Sequence, residues 1–343
     1  MASSILVPIK SDSGDSSNCS IYDPNAPSFL KNHDLIKEGD TVIIYVSYGH
    51  THTIIVKRGI TLAMKYGALR HEFIIDKPWG SKITATAGYV YALRPTPDLW
   101  TRSLPRRTQI LYTPDCSLIL QLLDARPGMV ICESGTGSGS LSHGIALAIA
   151  PNGHLYTHDI EESRTKKIEQ EFQEHGLSDI TTAVVQNVCT EGFFVQNACD
   201  GVFLDVPAPW EAIPHAANAL SKSRGGRLVS FSPCIEQVQR ACEVMRSLGF
   251  VLIETVECVP TTLKVVKCEN LTLEEFDKSG DFLTSGNRAP LNRKRRVEGD
   301  LVVMPAQEEE PAKDNLGRSA IAYPQNQPTH TGYLTHATML PYN

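Results

Sequence analysis

The stretch from Met129 to Ser140 constrains this chain more than any other. An apolar run ends in Glu133, glycines follow at 135, 137 and 139, and a helix-compatible segment continues from Leu141 to Ala150. That is the pattern of a strand, a tight turn and a helix. Glycine is needed where φ turns positive or where a ligand must reach the backbone. The helix N-terminus that follows offers unpaired N–H groups to a polar ligand. A dinucleotide loop of the G-x-G-x-x-G type would place its third glycine at 140, where this chain has Ser140.

Two acids follow at strand ends. Asp159 closes the apolar run of residues 154–160, twenty residues past Gly139. A carboxylate there can accept from both ribose hydroxyls of a nucleoside cofactor, a nicotinamide cofactor included, or simply cap a helix over residues 161–174. Asp205 ends the run Gly201-Val202-Phe203-Leu204 and is followed by Val206-Pro207-Ala208-Pro209-Trp210. Ligands of open α/β sheets bind at the carboxyl ends of strands, so Asp205 belongs at the mouth of the same crevice. The competing reading is a helix cap followed by a proline turn.

The spacing Glu133-x-Gly135-x-Gly137-x-Gly139 resembles the cofactor loop of class I S-adenosylmethionine-dependent methyltransferases. Taken with Leu204 to Trp210 and with Ser230-Phe231-Ser232-Pro233-Cys234-Ile235-Glu236-Gln237-Val238, it resembles the catalytic subunits of tRNA adenine-58 N1-methyltransferases. Residues 35–40, 107–112 and 330–335 extend the likeness, which runs over about 28–270 and resumes at about 329–340. The resemblance implies an α/β, Rossmann-like doubly wound methyltransferase domain behind a small β-barrel-like domain. It implies S-adenosyl-L-methionine as cofactor, tRNA as substrate, and a nuclear heterotetramer with two copies of a related non-catalytic tRNA-binding subunit. No metal and no membrane are expected.

The resemblance also assigns residues. Gly135, Gly137, Ser138, Gly139 and Ser140 receive the amino-acid and sugar portions of the cofactor, and Glu133 faces the methionine amino group or orients the loop. Asp159 holds the ribose, Arg164 steadies it, Leu111 covers it, and Asn187 and Val188 flank the adenine. Asp205 is the catalytic carboxylate, and Gln109, Tyr112, Pro207 and Trp210 line the substrate. Asn187 departs from the pattern, which commonly has Asp there; its amide can still accept from an adenine amine and donate to a ring nitrogen. A methyltransferase with another target and a non-catalytic tRNA scaffold stay open as alternatives; a nicotinamide oxidoreductase ranks lower because of Ser140.

A chain of 343 residues has room for two domains. No apolar run approaches the roughly 20 residues of a membrane span, and no secretory signal is read at the N-terminus. Nine cysteines without zinc spacing read as reduced, buried thiols of an intracellular protein. The net charge of −6 sits poorly with a lone nucleic-acid binder. Local positive charge comes from Lys57, Arg58, Arg102, Arg106 and Arg107, and a basic partner would supply the rest.

Along the chain, residues 1–27 read as a disordered extension. Residues 28–104 form the small β domain, with strands over 41–46, 53–56, 73–75 and 89–93 and a Pro-bearing linker over 94–107. His50 and His52 share a strand face but lack a third ligand for a metal. Residues 105–270 form the methyltransferase domain, with a helix over 115–124 and strands over 129–134, 154–160, 180–187, 201–206, 226–232 and 251–258. Their alternation with helices predicts a parallel sheet. Residues 271–328 read as a disordered insertion carrying a basic cluster at 292–296, and 329–343 as a returning strand and tail.

Overall fold

The computed structural model describes residues 29–30, 33–47, 49–259, 263–267, 318–322 and 332–342. The chain divides into two units, Met1–Val259 with His330–Asn343, and Pro260–Thr329. The N-terminal extension and the basic cluster at 292–296 lie outside the described residues.

The first unit opens with β1 (Thr41–Ser47), β2 (His50–Ile55), β3 (Thr61–Met64), β4 (Gly67–Arg70), β5 (Lys82–Ala85) and β6 (Gly88–Leu93). The strands β2-β1-β6-β5 form an antiparallel sheet, and β3 pairs with β4 as a hairpin. Alternate residues such as Val42 and Ile44, and Val90 and Ala92, point into a core shared with Ile36, Leu69 and Ile74. The sequence predicts a strand at 73–75, but the chain makes a 3₁₀ turn over His71–Phe73, and the Ile74 N–H donates to the His71 carbonyl at 3.0 Å. Ile74 and Ile75 are both buried. Neighbouring residues of a strand face opposite ways, so a turn is what lets both reach one core.

The stretch 94–107, expected as a linker, holds α1 (Pro97–Ser103). Pro97 opens the helix instead of breaking it, and the Thr96 hydroxyl accepts from the Leu99 N–H at 3.3 Å. Trp100 and Leu104 pack into the core of the larger sheet. Next come α2 (Thr113–Leu122), β7 (Val130–Ser134), α3 (Ser140–Ile149), β8 (His154–Asp159), α4 (Glu162–Glu174) and β9 (Thr181–Val185). They are followed by β10 (Gly201–Leu204), α5 (Pro209–Ala219), β11 (Gly226–Ser232), α6 (Ile235–Ser247) and β12 (Val251–Glu257). In the second unit β13 (Leu263–Lys267) pairs antiparallel with β14 (Arg318–Ala322), so part of the expected structureless insertion is a strand. β15 (Tyr333–Met339) closes the first unit.

The large sheet has the order β12-β15-β11-β10-β7-β8-β9. Strands β11 to β9 run parallel as expected, with one core on each face. The sheet as a whole is mixed, because β15 returns antiparallel between β11 and β12. Its Leu334, Thr335 and Ala337 are buried, and it pairs with β11 along the full run from Gly226–Met339 to Ser232–Tyr333. Among the described residues no helix is long and apolar enough to cross a membrane, and no cluster of three or more His, Cys, Asp or Glu could hold a metal.

Because β15 is an inner strand, Leu334→Ala should destabilise the fold by about 2–5 kcal/mol, the usual range for a buried leucine truncation. Denaturant unfolding followed by circular dichroism measures this; an unchanged midpoint would mean β15 is peripheral.

Candidate active site

Three parallel strands end together. β7 passes into the glycine turn, β8 ends at Asp159, and β10 ends one residue before Asp205. The Asp205 N–H donates to the Ser134 carbonyl at 2.8 Å, and the Gly135 N–H donates to the His158 carbonyl at 3.0 Å. Gly135 has φ +96°, and a Cβ there would stand 2.3 Å from the Asp205 carbonyl oxygen. Only glycine satisfies both conditions. The Gly137 N–H reaches across to Asp159 Oδ2 at 3.1 Å, so turn and strand ends form one hydrogen-bonded unit.

Three adjoining cavities meet at Asp205. The first, about 460 Å³, is lined by Gly135, Gly137, Asp159, Ile160, Asn187 and Val188, with Arg164 at its edge. A small one beneath the turn is lined by Leu111, Glu133, Ser138 and Ser140. The third, about 560 Å³, is lined by Gln109, Tyr112, Asp115, Pro207, Phe231, Pro233 and Gln237. Asp205 and Gln109 border all three. Volumes of this size suit small-molecule or single-nucleotide occupants.

Two of the expected contact residues lie elsewhere. Gly139 packs against Ile168 and His143, where a Cβ would meet Ile168 Cδ1 at 2.6 Å. Trp210 borders none of the three cavities; its ring lies 5.0 Å from the Arg240 guanidinium. The expected basic patch is largely neutralised: Arg58 pairs with Glu38, Arg102 with Asp98, and Arg107 with Glu171. Arg106 lies over the Tyr112 ring at 5.6 Å.

The family of tRNA methyltransferase complex GCD14 subunits matches residues 88–339. The chain belongs to this family. A Cryptococcus neoformans relative, named as the catalytic subunit of tRNA (adenine(58)-N(1))-methyltransferase, is 43% identical over 234 residues, covering 67% of this chain and 54% of the relative. The matched region thus spans about half that relative's length. A Schizosaccharomyces pombe relative of the same name is 41% identical over 271 residues, covering 77% of this chain and 72% of the relative. Among solved structures, a SAM-dependent O-methyltransferase from Thermotoga maritima matches 90% of this chain and 96% of its own at 24% identity and a TM-score of 0.66. A tRNA (m1A58) methyltransferase from Aquifex aeolicus matches 90% of this chain and all of its own at 19% identity and a TM-score of 0.61. The fold is that of S-adenosylmethionine-dependent methyltransferases.

Within this family member the acids have different surroundings. Glu133 is fully buried and accepts from the Ser142 hydroxyl at 2.6 Å and the Thr157 hydroxyl at 2.7 Å. Burial pushes its carboxyl up to about 7 against the pull of those two donors, and the charges of Asp205 and Asp159 add to the rise. Burial also pushes Asp205 up to about 6. For Asp159 burial pulls upward, but the Arg164 guanidinium and the Glu161 and Gly137 N–H groups outweigh it, and the carboxyl ends below its ordinary value. Arg164 Nη2 stands 2.6 Å from Oδ1 and Nε 3.2 Å from Oδ2, a two-point fork.

Several site residues have roles that their place in the sequence does not reveal. Ser138 Oγ accepts from the Arg107 N–H at 2.8 Å and the Thr108 N–H at 3.1 Å, which fastens the Gln109–Leu111 wall to the glycine turn. His158 Nδ1 donates to the Glu133 carbonyl at 2.9 Å, and its Nε2 accepts from the Phe194 N–H at 3.2 Å; burial holds the ring neutral, with its pKa down at about 4. Asp115 and Phe231 enter the third cavity from segments far apart in sequence.

Two outcomes follow. Gly135→Ala should weaken S-adenosylhomocysteine binding by about tenfold or more, roughly 1.4 kcal/mol, because the new methyl displaces the Asp205 backbone; titration calorimetry reads this directly. Since the folded pKa of Asp205 lies above its unfolded value, native stability falls as pH rises from about 4 through 6. Asp205→Asn should therefore raise Tm at pH 7.5 by about 2–4 °C, and a lower Tm would show that the carboxylate is held by favourable contacts instead.

Proposed function

We propose that this chain transfers a methyl group from S-adenosyl-L-methionine to N1 of adenine 58 in tRNA. It acts as the catalytic subunit of a nuclear assembly containing two copies of itself and two of a related, non-catalytic tRNA-binding subunit. The observation that supports the reading is the position of Asp205, at the junction of two cavities of about 460 and 560 Å³, each with room for a nucleoside. Family membership and the names of the relatives support the choice of substrate. The net charge of −6 and the paired arginines support a partner that supplies positive surface for the tRNA phosphates.

The cavity chemistry fits the cofactor. A cradle at Gly135 that any Cβ would block, backbone groups at the start of α3, and the Asp159 carboxylate beside Gly137 suit an adenosine and an amino-acid tail. Asn187 Oδ1 already accepts from the Cys189 N–H at 3.1 Å, so its side-chain NH2 remains for a ring nitrogen and its oxygen retains one lone pair. When bound, S-adenosylmethionine supplies a sulfonium methyl that is an activated electrophile.

The protein's task is mainly alignment. Adenine N1 has a free lone pair at neutral pH, so no side chain has to remove a proton. Asp205 accepts from the adenine N6 amine and orients N1 toward the first cavity. Methylation at N1 would leave positive charge on the ring and its N6, which the Asp205 carboxylate would stabilise. Gln109 and Tyr112 line the same cavity and would border the base.

Co-expressed with its partner and given unmodified tRNA, the wild type should form 1-methyladenosine at position 58, identified by nuclease digestion and mass spectrometry. Asp205→Ala should lose most transfer with cofactor affinity nearly unchanged; full activity on a G58 tRNA would sink the assignment. Activity should rise with pH through about 6 as Asp205 ionises, so the rate at pH 5 should be about tenfold below the plateau.

A further inference from the structure

Gln237 stands at the third position of α6, and its side chain has two partners. Its Oε1 accepts from the Cys234 N–H at 3.2 Å, which caps the helix. Its Nε2 donates to the Pro207 carbonyl at 3.0 Å. Cys234 follows Pro233, which lines one wall of the third cavity in the segment leaving β11. Pro207 belongs to the other, the segment leaving β10 two residues after Asp205. Gln237 itself lines the cavity between them.

The residue type is informative. A helix cap at this position needs only an acceptor, which Glu supplies equally well, and a negative charge in the first turn is favoured by the helix dipole. What Gln adds over Glu is a donor. Among the described residues that donor meets the Pro207 carbonyl. The Asp205 loop is already fixed at its start by the Asp205 N–H to the Ser134 carbonyl. The Gln237 contact fixes it two residues later.

We propose that Gln237 is a positioning residue for methyl transfer: its amide clamps the Pro207 carbonyl to the start of α6 and so holds the Asp205 carboxylate at the spacing the substrate base requires. This rests on the function proposed above. Gln237 touches no reacting atom and acts through Asp205.

The test uses the full chain with its partner subunit, tRNA transcript and S-adenosylmethionine. Q237E keeps the cap and removes the clamp. Its kcat for 1-methyladenosine should fall about tenfold or more, as for a small misplacement of a reacting pair, while KM for tRNA and Kd for S-adenosylhomocysteine stay within about twofold. Its Tm should match the wild type, whereas Q237A, which loses both contacts, should lose Tm as well. In a D205N background Q237E should add no further loss, because the two act as a unit. A Q237E enzyme with wild-type kcat, or an additive loss in the D205N background, would reduce Gln237 to a helix cap and overturn the inference alone. A wild type that binds cofactor but forms no 1-methyladenosine would overturn the functional reading and this inference with it.

Discussion

The site depends on a backbone contact. The Asp205 carbonyl lies where a side chain at Gly135 would stand, and the Asp205 N–H is bonded to the residue before that glycine. Through this contact the turn after β7 and the turn after β10 become one surface. The Gly135 N–H on the His158 carbonyl adds the end of β8. Three separate strand ends therefore hold their acids and N–H groups in register without relying on flexible side chains. Preorganisation of this kind suits a reaction whose main requirement is alignment.

The three acids show how one crevice gives similar groups different properties. Asp159 is held ionised by a forked arginine and two N–H groups. Glu133 is buried with two hydroxyl donors and titrates near neutrality. Its place is structural as much as functional, since Ser142 ties it to α3 and Thr157 ties it to β8. Asp205 lies between these extremes. It is raised by burial. A carboxylate that burial makes costly to keep charged gains most when a positive charge develops beside it.

The walls of the substrate cavity come from segments that are far apart in the chain: the loop before α2, the loop after β10, and the loop after β11. The first two are fastened by side chains that no motif search would single out as catalytic. Ser138 holds the Arg107–Thr108 backbone, and Gln237 holds Pro207. The inner position of β15 supports the last of these walls, since it pairs along the whole of β11.

Much of this was legible in the amino-acid sequence for local reasons. The glycine spacing, the apolar runs ending in Glu133, Asp159 and Asp205, and the alternation of strands and helices depend on short-range rules, and they placed the cofactor loop and the acids at neighbouring strand ends. The same local rules misplaced elements whose conformation is set by distant partners. Ile74 and Ile75 look like a strand, but one core takes both side chains and the backbone turns. Pro97 looks like a linker residue but starts a helix that packs into the larger core. Trp210 follows the Asp205 motif, yet its ring lies against Arg240 on the neighbouring helix. The antiparallel insertion of β15, the Arg107–Glu171 pair and the clamp from Gln237 each join residues 30 or more positions apart. Only tertiary packing brings such groups within hydrogen-bond distance, so the sequence determined which groups the site contains, and the fold decided how they are spaced.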